Sequence, residues 1–196
     1  MVASQEIIVK NILIYKLVLL NALAIAWLAI TNYQTGWFNT LFYADTTRLN
    51  YATAGLFVMV WIGTMVKARE LNIAFNNITG DHVYQQTWIG ELRLKQMEWI
   101  ERAAGWMLFL GLIGTLYGLM MSLSGVNSGN FGSVDGIKQI AVQMVAGLRV
   151  EISTTIIGAM LALWTEVNVT VLKYTADHVA AIEEEAIARS VMEDLP

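Results

Sequence analysis

The stretch AAGWMLFLGLIGTLYGLMMSL, residues 103–123, contains no Asp, Glu, Lys, Arg or His. A block of about 18 or more apolar residues with few charges is typical of a membrane-spanning helix. A second stretch, ISTTIIGAMLALWTEVNVTVL at residues 152–172, carries one acid, Glu166. The two stretches predict membrane-spanning helices.

Two shorter apolar segments precede them, at about residues 12–30 and 50–67. At a rise of about 1.5 Å per residue, segments of this length approach or match a hydrocarbon core roughly 30 Å thick. The predicted fold class is therefore all-α, a polytopic membrane protein with four transmembrane helices, of which the last two are long. We expect a single membrane domain over residues 1–196, with a short helical loop at 68–102 and a C-terminal helix at 173–195.

The composition agrees with this class and excludes several functions. Hydrophobic residues make up 56% of the chain and charged residues 14%, whereas soluble domains carry about a quarter charged residues. The absence of cysteine excludes disulfides and thiolate chemistry, and His82 and His178 are too isolated to predict a metal site. No basic stripe indicates nucleic acid, and no nucleophile and base share a face, so we predict neither a nucleic-acid partner nor an enzyme.

The basic residues predict the orientation, because short cytoplasmic loops retain Lys and Arg. The other side of the membrane has only Arg48, Lys138 and Arg149. We therefore expect both termini and the loop at 68–102 to be cytoplasmic. The cytoplasmic side collects Lys10, Lys67, Arg69, Arg93, Lys95, Arg102, Lys173 and Arg189.

Small and weakly polar residues fall on one face of each of the last two spans. Such faces favour close packing of membrane helices. Alternatively, the threonines provide a hydrophilic path. The spacing leaves both interpretations open. The residues are Gly111, Gly114, Thr115, Gly118, Ser122 and Gly125 on the third span, and Glu151, Thr154, Thr155, Gly158, Ala162 and Thr165 on the fourth.

No ionisable side chain occupies the middle of any span. Glu151 and Glu166 lie toward the two ends of the fourth span, where their charges could stand at the mouths of a pathway. A cation path usually needs an ionisable group near the midplane. If the chain conducts protons or sodium, that carboxylate must come from another chain.

Two motifs resemble the pore helices of the MotA, TolQ and ExbB family. LGLIGTLYGLMMSL, residues 110–123, is similar to the GLxGTxxG signature of that family. GLRVEISTTIIGAMLA, residues 147–162, resembles the other pore helix, in the TTxxGAxLA form of sodium-type flagellar stators. The match covers both motifs and the spacing between them, roughly a third of the chain, and four spans with cytoplasmic termini resemble the MotA branch.

The resemblance implies a subunit of an ion-driven motor in the bacterial inner membrane, with the last two spans lining the pore. It implies a homopentamer around two copies of a single-span partner of the MotB, ExbD or TolR type, whose membrane aspartate carries H+ or Na+, and no cofactor. Thr115 and Thr155 match the family's pore threonines, with Thr154 as their neighbour. Gly114 and Gly158 match its packing glycines.

The chain also departs from the family pattern. The pore-helix proline is missing, with Trp164 near its place, and the loop at 68–102 is much shorter than the torque-generating domain of flagellar stators. An alternative function is a non-conducting oligomeric membrane scaffold that uses the same small faces.

Overall fold

The computed structural model describes residues 12–78, 98–128 and 132–193, and within these ranges all regular structure is helical. The helices are α1 (Ile12–Thr35), α2 (Trp37–Ala44), α3 (Leu49–Ile78), α4 (Glu98–Ser128) and α5 (Val134–Glu193).

Four of these helices are long and apolar enough to cross a membrane. The candidate spans are Tyr15–Thr35, Leu49–Leu71, Glu98–Val126 and Val134–Asp177. Every backbone polar group inside a bilayer needs a hydrogen-bond partner, and a helix provides one within its own segment. The chain is a polytopic all-α membrane protein with four spans, and this prediction from sequence is confirmed.

The helices extend beyond the apolar segments that predicted them. Helix α3 continues to Ile78, into the segment predicted as a helical loop at 68–102. Residues 98–102 of that segment belong to α4, and residues 79–97 lie outside the described part of the chain. Helix α5 begins at Val134 and reaches Glu193, and so joins the fourth span to the predicted C-terminal helix. At about 1.5 Å per residue its 60 residues extend roughly 90 Å.

The described residues form two compact units, and the long helices contribute to both. Of the described residues, the first unit comprises 12–25, 60–78, 98–102 and 165–193. The second comprises 26–59, 103–128 and 132–164.

The first unit has an apolar core and a buried amide pair. Leu17 and Leu172 are fully buried and pack with Ala68, Leu71 and Ala176. Within the same unit, Asn21 Nδ2 donates to Asn168 Oδ1 at 2.7 Å. At one edge, Lys173 Nζ lies 2.5 Å from Glu101 Oε1.

The second unit contains α2, which connects the first two spans and which the hydropathy pattern did not predict. Gly36 begins this connection at φ 62°, a left-handed conformation that glycine adopts without steric cost. Asp45 ends it and stabilises the start of α3, because its carboxylate accepts hydrogen bonds from the backbone N–H groups of Thr47 at 2.9 Å and Asn50 at 2.7 Å.

Candidate functional site

Helices α4 and α5 pack along the two small faces within the second unit. A Cβ atom placed on Gly111 would lie 3.1 Å from the carbonyl oxygen of Thr154 and 3.4 Å from the Cα of Gly158. A Cβ on Gly158 would lie 2.9 Å from the Cα of Gly111. The two backbones are therefore in direct contact where these glycines meet. We call this contact the glycine seam; its residues on α4 are Gly111, Gly114, Gly118 and Ser122, and on α5 Gly147, Glu151, Thr154 and Gly158.

The tightest backbone approach in the glycine seam is where Gly118 meets Gly147. A Cβ on Gly118 would lie 2.6 Å from both the backbone nitrogen of Glu151 and the carbonyl oxygen of Gly147, and a Cβ on Gly147 would lie closer still to the carbonyl oxygen of Gly118. Backbone atoms cannot rotate away as a side chain can, so a larger residue would force the helices apart. Ser122 extends the seam, and its hydroxyl donates to the carbonyl of Met144 at 3.0 Å. Ala162 is buried farther along α5 in the same unit.

Thr154 lies inside the glycine seam. It is 2% exposed and faces Gly114, where a Cβ would collide with its side chain. Its hydroxyl bonds backward along its own helix, to the carbonyls of Val150 at 2.9 Å and Glu151 at 3.2 Å. Thr154 is one of the three threonines predicted for an ion pathway, and its side chain fills the contact between α4 and α5.

Thr115 and Thr155 meet at the open edge of the glycine seam. Thr115 is half-buried, Thr155 is exposed, and their hydroxyl oxygens are in direct hydrogen-bonding contact. Each also bonds one turn back, Thr115 to the carbonyl of Gly111 at 3.0 Å and Thr155 to that of Glu151 at 2.9 Å. We call these two residues the threonine pair.

The two hydroxyls of the threonine pair have fewer protons than the hydrogen-bond contacts that they make. Two hydroxyls supply two protons, whereas three contacts, two to carbonyls and one between the hydroxyls, each require one. One contact is therefore always without a proton, and hydroxyl lone pairs remain available toward the open edge. Such oxygens can accept a hydrogen bond from water or contact a cation.

Glu151 lies one turn from the threonine pair, and Glu166 belongs to the other unit. Within the described residues, Glu151 Oε2 is buried without a hydrogen-bond partner, while the backbone carbonyl of the same residue accepts from Thr155. Glu166 is exposed, and its carbonyl accepts from Thr170 at 2.9 Å. Only Glu151 shares a unit with the predicted pathway threonines.

The sequence pattern did not single out the amide pair of the first unit. Asn21 and Asn168 are each 2% exposed, and Trp61 Nε1 donates to Asn21 Oδ1 at 3.2 Å. Asparagine is not ionisable, so attention to charged residues missed this pair. The available signal was a single asparagine inside each of two apolar segments. In the described part of the chain no group of three His, Cys, Asp or Glu side chains could hold a metal ion.

Comparison of the chain with protein-family models, with curated proteins and with solved structures finds no match in any of the three. The geometry described above and the two motifs are therefore the basis for a functional proposal.

Proposed function

We propose that this chain is a channel subunit of an ion-driven membrane motor. It forms a ring, with five copies as the expected number, around two copies of a single-span partner. Cations enter along the threonine pair and bind a carboxylate that the partner supplies, and each binding step moves the ring relative to the partner. The observation that carries the proposal is the hydroxyl pair of Thr115 and Thr155 at the open edge of a closely packed helix pair.

The glycine seam supports this function because it fixes the position of both hydroxyls. A pathway group must keep its geometry while ions pass, and elements held by tight packing provide that precision. The glycine seam holds α4 and α5 so close together that the hydroxyls of Thr115 and Thr155, one on each helix, are in hydrogen-bonding contact. The hydroxyls remain accessible to another chain at the open edge.

The positions of the ionisable residues support the proposal that another chain supplies the carboxylate. The middle of each apolar segment, at residues 12–30, 50–67, 103–123 and 152–172, lacks an ionisable residue, and a cation crossing a bilayer needs a charged or strongly polar group there. The resemblance of the two motifs to the MotA, TolQ and ExbB family implies that the partner is a single-span protein with an aspartate in its membrane segment. The cation is H+ or Na+, and the setting is a bacterial inner membrane with both termini of this chain in the cytoplasm.

A second candidate function is a non-conducting membrane scaffold. It is favoured by the burial of Thr154 within the glycine seam, which uses one of the three predicted pathway hydroxyls for packing. In a scaffold the threonine pair would serve only to join α4 to α5.

Replacing Thr155 with Ala tests the channel against the scaffold. The matched control is Thr170→Ala, because Thr170 is also exposed on α5 and its hydroxyl makes the same backward bond, at 2.9 Å. We expect Thr155→Ala to lower cation flux through liposomes containing the ring and its partner by about tenfold or more, and Thr170→Ala to leave it unchanged. Both variants should keep the mass of the assembly.

Flux that is unchanged by Thr155→Ala, in a complex of verified mass, would contradict the channel. The scaffold predicts instead that Thr155→Ala is silent, whereas a bulky residue at Gly114 or Gly158 breaks the assembly.

A further inference from the structure

A cavity of about 520 Å3 lies in the second unit, between the connection formed by α2 and the first part of α5. Tyr43 and Thr46 line it from the connection, and Val142, Val145 and Arg149 line it from α5. Its walls are mostly aliphatic, with two hydroxyl groups and one guanidinium. None of its lining residues is acidic.

Arg149 has no ion pair within the described residues. The one acid of the connection at residues 36–48, Asp45, is buried and accepts from Thr47 and Asn50, so its carboxylate is already satisfied. A guanidinium presents five donors in a planar fork that matches the oxygens of a phosphate. The cavity therefore has one permanent positive charge with unused donors.

The level of the cavity in the membrane follows from the spans that the connection joins. The first span ends at Thr35 and the second begins at Leu49, so the residues between them lie beside the lipid headgroups of one leaflet. Tyr43 is 85% exposed there, in agreement with the preference of tyrosine for the membrane interface. Because Arg149 lines the same cavity, its guanidinium lies at headgroup level.

An apolar stripe on α5 continues from Arg149 toward the C-terminal end of the fourth candidate span. Ile152, Ile156 and Leu163 follow Arg149 at helical spacing, and all three side chains are exposed. A small soluble anion would not contact these apolar side chains. A molecule with a phosphate and a long hydrocarbon chain would contact both the cavity and the stripe.

We propose that this cavity binds the headgroup of an anionic phospholipid. Arg149 pairs with the phosphodiester, the Tyr43 hydroxyl donates a hydrogen bond to the headgroup, and one acyl chain lies along Ile152, Ile156 and Leu163. The site does not depend on ion conduction, so a lipid-binding result and a flux result are separate.

Native mass spectrometry of the purified full-length protein tests the site, with phosphatidylglycerol and phosphatidylcholine added in parallel. The key variant is Arg149→Gln, and its matched control is Lys138→Gln, which removes an equal charge from the same helix at a residue that lines a different cavity. We expect the wild type to prefer phosphatidylglycerol, Arg149→Gln to weaken that binding about tenfold, and Lys138→Gln to leave it unchanged.

A second variant tests the shape of the cavity with its charge intact. Ala141 also lines the cavity and is exposed, so Ala141→Leu should fold normally while the larger side chain occupies space that the headgroup needs. We expect weaker phosphatidylglycerol binding in this variant, with an unchanged helical circular dichroism spectrum.

Three results would overturn the proposal. Equal losses in Arg149→Gln and Lys138→Gln would indicate general attraction to negative charge. Displacement of the lipid by millimolar inorganic phosphate would assign the cavity to a soluble anion. A change in the mass of the protein assembly in Arg149→Gln, with lipid binding unchanged, would indicate that a second copy of the chain covers the cavity.

Discussion

At the level of single residues, glycine sets the distance between α4 and α5. Gly105 and Gly118 lie on the same helix, yet they differ completely in surroundings. A Cβ on Gly105 would meet no atom within 4 Å, whereas one on Gly118 would lie 2.6 Å from two backbone atoms of α5. The presence of glycine in a span therefore does not by itself indicate a close contact.

Gly118→Ala should destabilise the protein, because the new methyl group must push α5 away. Overpacking of this kind costs about 1–3 kcal/mol. Gly105→Ala is the matched control and should be neutral or slightly stabilising, since alanine favours helix more than glycine does. Unfolding of both variants in a mixed-micelle SDS titration measures the difference. Equal unfolding midpoints would show that the glycine seam relaxes without cost.

At the level of the elements, the amide pair joins α1 to α5 within the first unit. Asn21 donates to Asn168 at 2.7 Å and to the carbonyl of Leu17 at 2.7 Å, and its oxygen accepts from Trp61 on α3. Water cannot satisfy these groups inside a bilayer, so the amides must find partners in the protein. Three helices are thereby linked through one side chain.

A double-mutant cycle with Asn21→Leu and Asn168→Leu should reveal this coupling. Each single change leaves a partner group unsatisfied, and hydrogen bonds between membrane helices contribute about 0.6 to 1.7 kcal/mol. The double variant should therefore lose less stability than the sum of the two single losses. Losses that simply add would mean that the two amides stabilise their helices independently.

At the level of the whole molecule, large apolar side chains remain exposed on every span. Leu19 on α1, Met59 on α3, Phe109 on α4 and Leu163 on α5 are each more than 60% exposed. Lipid covers such side chains in a monomer, and neighbouring copies cover some of them in a ring. The proposed ring requires that a part of this surface be an interface between copies.

The mass and symmetry of the detergent-solubilised complex provide the corresponding prediction. We expect five copies of the chain when it is produced alone, and uptake of two copies of a single-span, aspartate-bearing protein when the two are produced together. Electron microscopy and native mass measurement determine both numbers. A different symmetry without partner uptake would favour the scaffold.

The sequence by itself determined the class of the protein and the number of its spans. Both follow from long apolar blocks such as residues 103–123, because a bilayer accepts only segments that satisfy their own backbone and match its thickness. Hydropathy did not show that α3 extends to Ile78 or that α5 begins at Val134, because those parts of the helices lie beyond the apolar blocks. The short helix α2 was not predicted for the same reason.

Only the tertiary structure decided how the threonines are used. Thr154 and Thr155 are adjacent in sequence and fall on the same broad small face, yet Thr154 is buried in the glycine seam and Thr155 is exposed beside Thr115. Neighbouring residues on a helix point about 100° apart, so the position of the second helix determines which of them it covers. Periodicity shows which residues share a face, and packing against Gly111 and Gly114 selects the one that becomes inaccessible.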